Sequence, residues 1–128
     1  MAQDEFGFRR RFELWSYVVS HEQLLVRSNK SNEWSTRIDI LFKDVIVMEI
    51  QTLFDEILVR RSSKEEARSL QDRLGGVPTE RRKLFIVQSS NFSGYVVAGA
   101  VFWHEDQGEY YDNSYFEKSW VSRGSTRN

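Results

Sequence analysis

Phe12-Glu13-Leu14-Trp15-Ser16-Tyr17-Val18-Val19-Ser20-His21-Glu22-Gln23-Leu24-Leu25-Val26-Arg27-Ser28 is the stretch on which the reading of the fold turns. Two β-branched and aromatic runs flank a polar break at Ser20 to Gln23, which has the length of a hairpin connection. The stretch predicts two antiparallel strands, Arg11 to Val19 and Leu24 to Ser28, which later apolar runs can join. On a plain two-residue repeat, Phe12, Leu14, Ser16 and Val18 share one face of the first strand, and Trp15, Tyr17 and Val19 share the other. Both faces are largely apolar, which predicts a strand covered on both sides.

Outward from the hairpin, Asn29 to Glu33 is dense in loop residues, and Trp34 opens a third strand. There Ile38, Ile40 and Phe42 alternate with Arg37 and Asp39, so one side should face the core and the other mainly water. Arg37 and Asp39 read as members of a cross-strand charge ladder rather than as catalytic groups. Val45 to Gln51 is a further strand, or the continuation of a bent one. Thr52 to Glu56 reads as a connection, and Ile57 to Arg61 as a short strand. Ser63 and Glu66 then stand at capping-box spacing, with Ala67, Leu70 and Leu74 on one helical face and Gly75-Gly76 as the exit. This predicts one amphipathic helix, Lys64 to Leu74, lying on a sheet. Gly75 to Arg82, with the one proline at Pro78, is the expected mobile loop. Lys83 to Ser89 is a strand and Ser90 to Gly94 its turn. Tyr95 to Trp103 reads as one long strand whose small centre, Ala98-Gly99-Ala100, marks a bend, a close approach or the floor of a ligand cavity.

The pattern predicts an α+β fold that is mostly β. Its form is a curved antiparallel sheet or partly open barrel of about six or seven strands with one packed helix. The 128 residues fit a single domain, 1–128, with enough chain to bury a real core. Its ordered part should span about 8–120, between a loose leader at residues 1 to 7 and a frayed tail. Cysteine is absent, which excludes disulfides, thiol chemistry and thiolate zinc sites. The acidic amino terminus lacks an apolar targeting segment, and no run reaches membrane-spanning length, so the expectation is a cytoplasmic protein with no membrane contact. Eighteen basic against nineteen acidic residues give a net charge of −1 with no field favouring nucleic acid. The triplet Arg9-Arg10-Arg11 is either a phosphate clamp or a solvated strand entrance, and the overall neutrality favours the second.

Catalysis needs a nucleophile or metal, a base near neutral pKa and a charge-stabilising pocket. The two histidines, His21 and His104, each precede a glutamate that points to the opposite face of a strand. No zinc-protease, nucleophile-elbow, phosphate-loop or dinucleotide pattern occurs. The acids Glu105, Asp106, Glu109 and Asp112 lack the order of a calcium loop. The sequence thus offers no catalytic, cofactor-binding or metal residue and implies no cofactor. Glu49 interrupts an apolar strand and reads as outward-facing.

Aromatic residues supply the remaining signal. Glu105 to Glu117 is acidic and aromatic, and across Gly108 to Trp120 the aromatics at 110, 111, 115, 116 and 120 follow neither a strand nor a helix period, so one buried face cannot hide them all. Trp34, Tyr110, Tyr111, Tyr115, Phe116 and Trp120 are therefore the candidate partner surface, because such side chains combine contact area with a polar handle. The alternative is that this segment completes the core. Leu14 to His21, continuing through Leu24 to Ser28, resembles short bacterial proteins of no assigned activity, as does Thr36 to Lys43. Some such proteins are toxin-immunity partners. The resemblance spans roughly the first 50 residues, carries no functional residue with it, and implies an immunity-like module. Two readings follow. One is a non-enzymatic protein-binding or regulatory module, with a protein partner or a second copy of the chain. The other is a small-molecule binder or enzyme with a cavity near Ala98 to Ala100 and Glu49 or His104 at its mouth.

Overall fold

The quoted stretch folds as the expected hairpin. In the computed structural model, which describes residues 5–75 and 81–117, Phe12–Val18 (β2) pairs antiparallel with Gln23–Ser28 (β3). A single 3-10 turn at Val19–His21 joins them, and Glu22 adopts a left-handed φ of 53°. The register shifts between Leu14 and Ser16. This bulge at Trp15 inserts one residue and reverses the alternation beyond it. Phe12, Leu14 and Tyr17 therefore pack on the core, while Ser16 and Val18 face the opposite side. The simple two-residue face assignment fails from Trp15 onward for that reason.

The remaining strands are Glu5–Phe8 (β1), Arg37–Lys43 (β4), Val47–Glu49 (β5), Leu53–Phe54 (β6), Ile57–Arg61 (β7), Lys83–Gln88 (β8), Ser93–Ala98 (β9) and Ala100–Asp106 (β10). The helix α1 spans Lys64–Leu74, as its caps predict. The strands form two five-stranded antiparallel sheets, with orders β1-β7-β8-β9-β5 and β10-β4-β3-β2-β6. Mostly β structure and one packed helix agree with expectation. One curved sheet or partly open barrel of six or seven strands does not: the described residues form ten strands in two sheets. Residues 5–7 are not a loose leader, because β1 pairs with β7. Leu53–Phe54, in the expected connection, adds to the edge of β2. The apolar run Tyr95 to Trp103 is two strands in different sheets, divided at Gly99. A Cβ on Gly99 would lie 3.0 Å from that of Asp44, so the corner admits little more than glycine.

Between the sheets lies one apolar layer. Phe12, Leu24, Val26, Ile38, Ile40 and Phe42 from the second sheet meet Val59, Phe85, Val87, Val96 and Ala98 from the first. The outer face of the first sheet is covered by α1, where Leu70 and Leu74 pack on Leu84, Ile86, Tyr95 and Val97. The helix is fixed at its start by the capping box: Ser63 Oγ accepts from the Glu66 amide at 3.1 Å, and Glu66 accepts from the Ser63 amide at 2.8 Å. It ends at Gly75, with φ 60° and its amide bonded to the Gln71 carbonyl at 3.0 Å. Of the expected mobile loop, residues 76–80 lie outside the described residues, while Arg82 donates to the Asp44 carbonyl at 3.1 Å.

Leu70→Ala should destabilise the protein by about 2–5 kcal/mol, because it empties the contact that holds α1 on the sheet. An unchanged urea midpoint would refute that packing. Glu66 offers a pH test. Two hydrogen bonds from Arg60, at 2.8 Å each, and the Ser63 amide hold its carboxyl down at about 2. A folded pKa below the unfolded value of 4.5 gives stability that is present above pH 4.5 and lost as pH falls through about 2. In Glu66→Gln the urea midpoint should fall less over that window than in wild type. Equal acid slopes would show that the Arg60–Glu66 bonds do not persist in solution.

Candidate functional site

The outer face of the second sheet carries charge in mid-strand and is nonetheless covered, so each of those charges needs a partner. The β3–β4 register sets Arg27 opposite Asp39, and the β4–β10 register sets Arg37 opposite Asp106. The charge ladder expected of Arg37 and Asp39 is there, but it is buried rather than facing water. Arg27 binds both Asp39 oxygens, at 2.7 and 3.2 Å, with each side chain only 2% exposed. Its guanidinium also lies 4.6 Å from the centre of the bulged Trp15 ring. Trp15 is thus on the outer side of the second sheet.

Arg37 is 1% exposed. Its five N–H groups go to both oxygens of Asp106, each at 3.2 Å, and to the carbonyls of Glu109 (3.1 Å), Asp112 (2.9 Å) and Asn113 (3.1 Å). The segment after β10 is therefore folded back and pinned over the sheet by one side chain. Burial pushes the Asp106 carboxyl up, but the Gly108 amide and Arg37 outweigh it and hold it below the ordinary aspartate range. Gly108 has a specific reason to be glycine: a Cβ there would run into the Arg37 guanidinium. Further along, buried Ser114 and half-buried Phe116 close over Leu25 and Leu41.

Pinning this cap presents its aromatics. Tyr111 is 93% exposed, and Tyr110 and Tyr115 are about half exposed. Tyr110 sits edge-on to Trp15 (5.0 Å between centroids) and to Tyr111 (4.9 Å). Tyr115 stacks on His104 at 3.8 Å, with Phe116 beside it at 5.4 Å. The structure thus gathers Tyr110, Tyr111, Tyr115 and Phe116 on one cap. From Glu105 to Glu117 there is no lysine or arginine, against five acids, at 105, 106, 109, 112 and 117. Trp34 lies elsewhere, half-buried at 4.9 Å from Arg10, on the loop whose Lys30 reaches the Gln107 carbonyl and Glu109. Trp120 lies outside the described residues.

A second feature surrounds Trp34. A cleft of about 580 Å³ is lined by Arg9, Arg10, Arg11, Glu33, Trp34, Gln51, Leu53, Phe54, Asp55 and Asn91. Arg10 is buried and committed: it donates to Ser28 Oγ at 2.7 Å, to the Thr36 carbonyl at 2.6 Å and to Thr36 Oγ1 at 3.1 Å. Burial lowers its pKa, and the Glu105 carboxylate works the other way. Asp55 accepts from the hydroxyls of Ser89 and Ser90 and is held well below the usual carboxylate range. The triplet is therefore not uniformly a solvated strand entrance, since its middle member is inside. The sequence signal for the cleft was the triplet and Trp34; Gln51, Asp55 and Asn91 gave none.

The small centre Ala98 to Ala100 does not bring its expected partners together. Ala98 is buried in the intersheet core, exposed Glu49 lies on the first sheet beside Arg73, and His104 lies on the second. Among the described residues no cluster of three or more acidic, histidine or cysteine side chains is placed to hold a metal, and no helix is long and apolar enough to cross a membrane.

Asp39→Ala should cost about 3–5 kcal/mol, because it leaves Arg27 buried without its carboxylate. Glu49→Ala breaks only the exposed pair with Arg73, worth about 0–1 kcal/mol. Equal shifts in the urea midpoints of the two variants would place Arg27 in contact with water. In comparisons with known proteins, no family model, curated protein or solved structure matches the chain, so a functional reading rests on its own geometry.

Proposed function

We propose that the protein is a non-enzymatic binding or regulatory module that docks a cationic protein partner on its carboxy-terminal cap. The observation that carries this reading is the exposure of Tyr111 beside Tyr110 and Tyr115 on a segment that Arg37 holds in place. An exposed aromatic on a rigid support loses little freedom on binding, and its ring face attracts arginine and lysine. The absence of basic residues from 105 to 117 adds complementarity of charge. The resemblance of Leu14 to His21, Leu24 to Ser28 and Thr36 to Lys43 to short bacterial proteins, some of them immunity partners of toxins, would imply the same class.

Deleting the cap is a poor test, because it would strand Arg37. The better variant is Tyr110→Ser with Tyr111→Ser and Tyr115→Ser, which leaves the Arg37 bonds intact. Affinity capture from the source cell should retain a basic protein on wild type, and purified complex formation should weaken by at least about tenfold in the triple variant. Binding should also weaken as salt rises from about 0.05 to 0.5 M. A partner held equally by both proteins would place the docking face elsewhere, and an acidic partner would overturn the charge argument.

A further inference from the structure

We propose that the cleft beneath Arg9 and Arg11 is a binding site for a small phosphorylated nucleoside, of the nucleoside monophosphate class. This site is separate from the tyrosine cap and does not depend on it. The volume of about 580 Å³ falls within the usual range of small-molecule sites. Arg9 and Arg11 are exposed, both line the cleft, and neither has a partner among the described residues. Guanidinium groups present paired donors in the geometry that phosphate oxygens accept, so two of them at one cleft form an anion clamp.

The other lining groups narrow the class. Trp34 supplies an aromatic wall, and Arg10 steadies it from 4.9 Å while itself anchored to Ser28 and Thr36. Such a wall takes a planar ring by stacking. Glu33 contributes a carboxylate without a partner among the described residues, suited to accept from sugar hydroxyls, while Gln51 and Asn91 bring amides that can both donate and accept. Asp55 makes no demand on the arginines, because the serine hydroxyls already satisfy it.

Charge argues against a polyanion. Three arginines less Glu33 and Asp55 leave +1 for the lining as a whole, which suits one phosphate group. A strand of nucleic acid would bring successive phosphates past Glu33, and the whole chain, at −1, offers no basic field to hold them. Inorganic phosphate would leave Trp34 and the amides unused.

Isothermal titration of the full-length protein with AMP, adenosine, inorganic phosphate and a short single-stranded RNA separates these cases. The expected result is saturable one-site binding of AMP, with adenosine and phosphate each at least about tenfold weaker. Arg9→Gln with Arg11→Gln should reduce AMP binding at least about tenfold and leave adenosine unchanged. Trp34→Leu should weaken AMP and adenosine but not phosphate, with a retained urea midpoint showing that the fold survives. Should Trp34→Leu lower that midpoint, Trp34→Phe replaces it, keeping a ring at the wall with less stacking area and weakening AMP and adenosine but not phosphate. The proposal is overturned if AMP shows no binding up to about 1 mM. It is equally overturned if the double arginine variant binds AMP as wild type does, if phosphate binds as tightly as AMP, or if the RNA binds more tightly and with a steep salt dependence.

Discussion

A guanidinium that is 1% exposed on the outer face of a sheet is the constraint from which the rest of this architecture follows. Strand β4 lies between β10 and β3 in the second sheet, and its alternation points Ile38, Ile40 and Phe42 inward, so Arg37 and Asp39 must point out. Had that face stayed open, both charges would be hydrated and the cap would have no anchor. Burying them demands acceptors. Asp39 pairs with Arg27 across the register, and Arg37 draws in the Asp106 carboxylate and three carbonyls of the following loop. The loop conformation is thus dictated by where five N–H bonds can end.

The two outer faces solve the same problem by different physics. On the first sheet, α1 lays Leu70 and Leu74 on apolar strand residues, so the cover is held by burial. On the second, directional hydrogen bonds to Arg37 do the positioning. A cover held by apolar contact can slide or rotate at modest cost. One held by five bonds to a planar group cannot, since each broken bond would leave a buried polar group unpaired. That difference places the presented tyrosines on the rigid side of the molecule.

Much of the fold was legible because local rules and global packing agree there. The capping box at Ser63 and Glu66 and the Gly75 exit set the helix to the residue. The clean alternation of β4 and the apolar runs of β3, β7 and β8 made those strands readable. Failures share one cause: the deciding partner was distant in sequence. Four residues at Glu5–Phe8 carry no readable pattern until β7 lies beside them. The Trp15 bulge is set by register, and although Gly99 signalled a bend or close approach, that the chain passes there into the other sheet beside Asp44 is not in the composition. For the same reason the aromatic cap was legible as a cluster, but its anchor was not, because Arg37 and Asn113 are 76 positions apart. The cleft behind Arg10 was less legible still, since nothing in three consecutive arginines says that the middle one is inside.

Why keep a buried ionic network where leucines would cover a sheet as well? Replacing buried ion pairs by well-packed apolar side chains is often neutral or stabilising, so stability alone does not explain Arg27, Asp39, Arg37 and Asp106. An apolar cap would, however, have many nearly equivalent seatings over Leu25 and Leu41. Arg37 admits one: the carbonyls of Glu109, Asp112 and Asn113 must converge on its donors, and Gly108 must lie flat against it. That single seating turns Tyr111 outward and stands Tyr110 against Trp15, which itself packs on the Arg27 guanidinium. The charged ladder is therefore best understood as a device for position. It converts the register of three strands into the placement of exposed aromatic rings, which an apolar layer of equal stability would leave undefined.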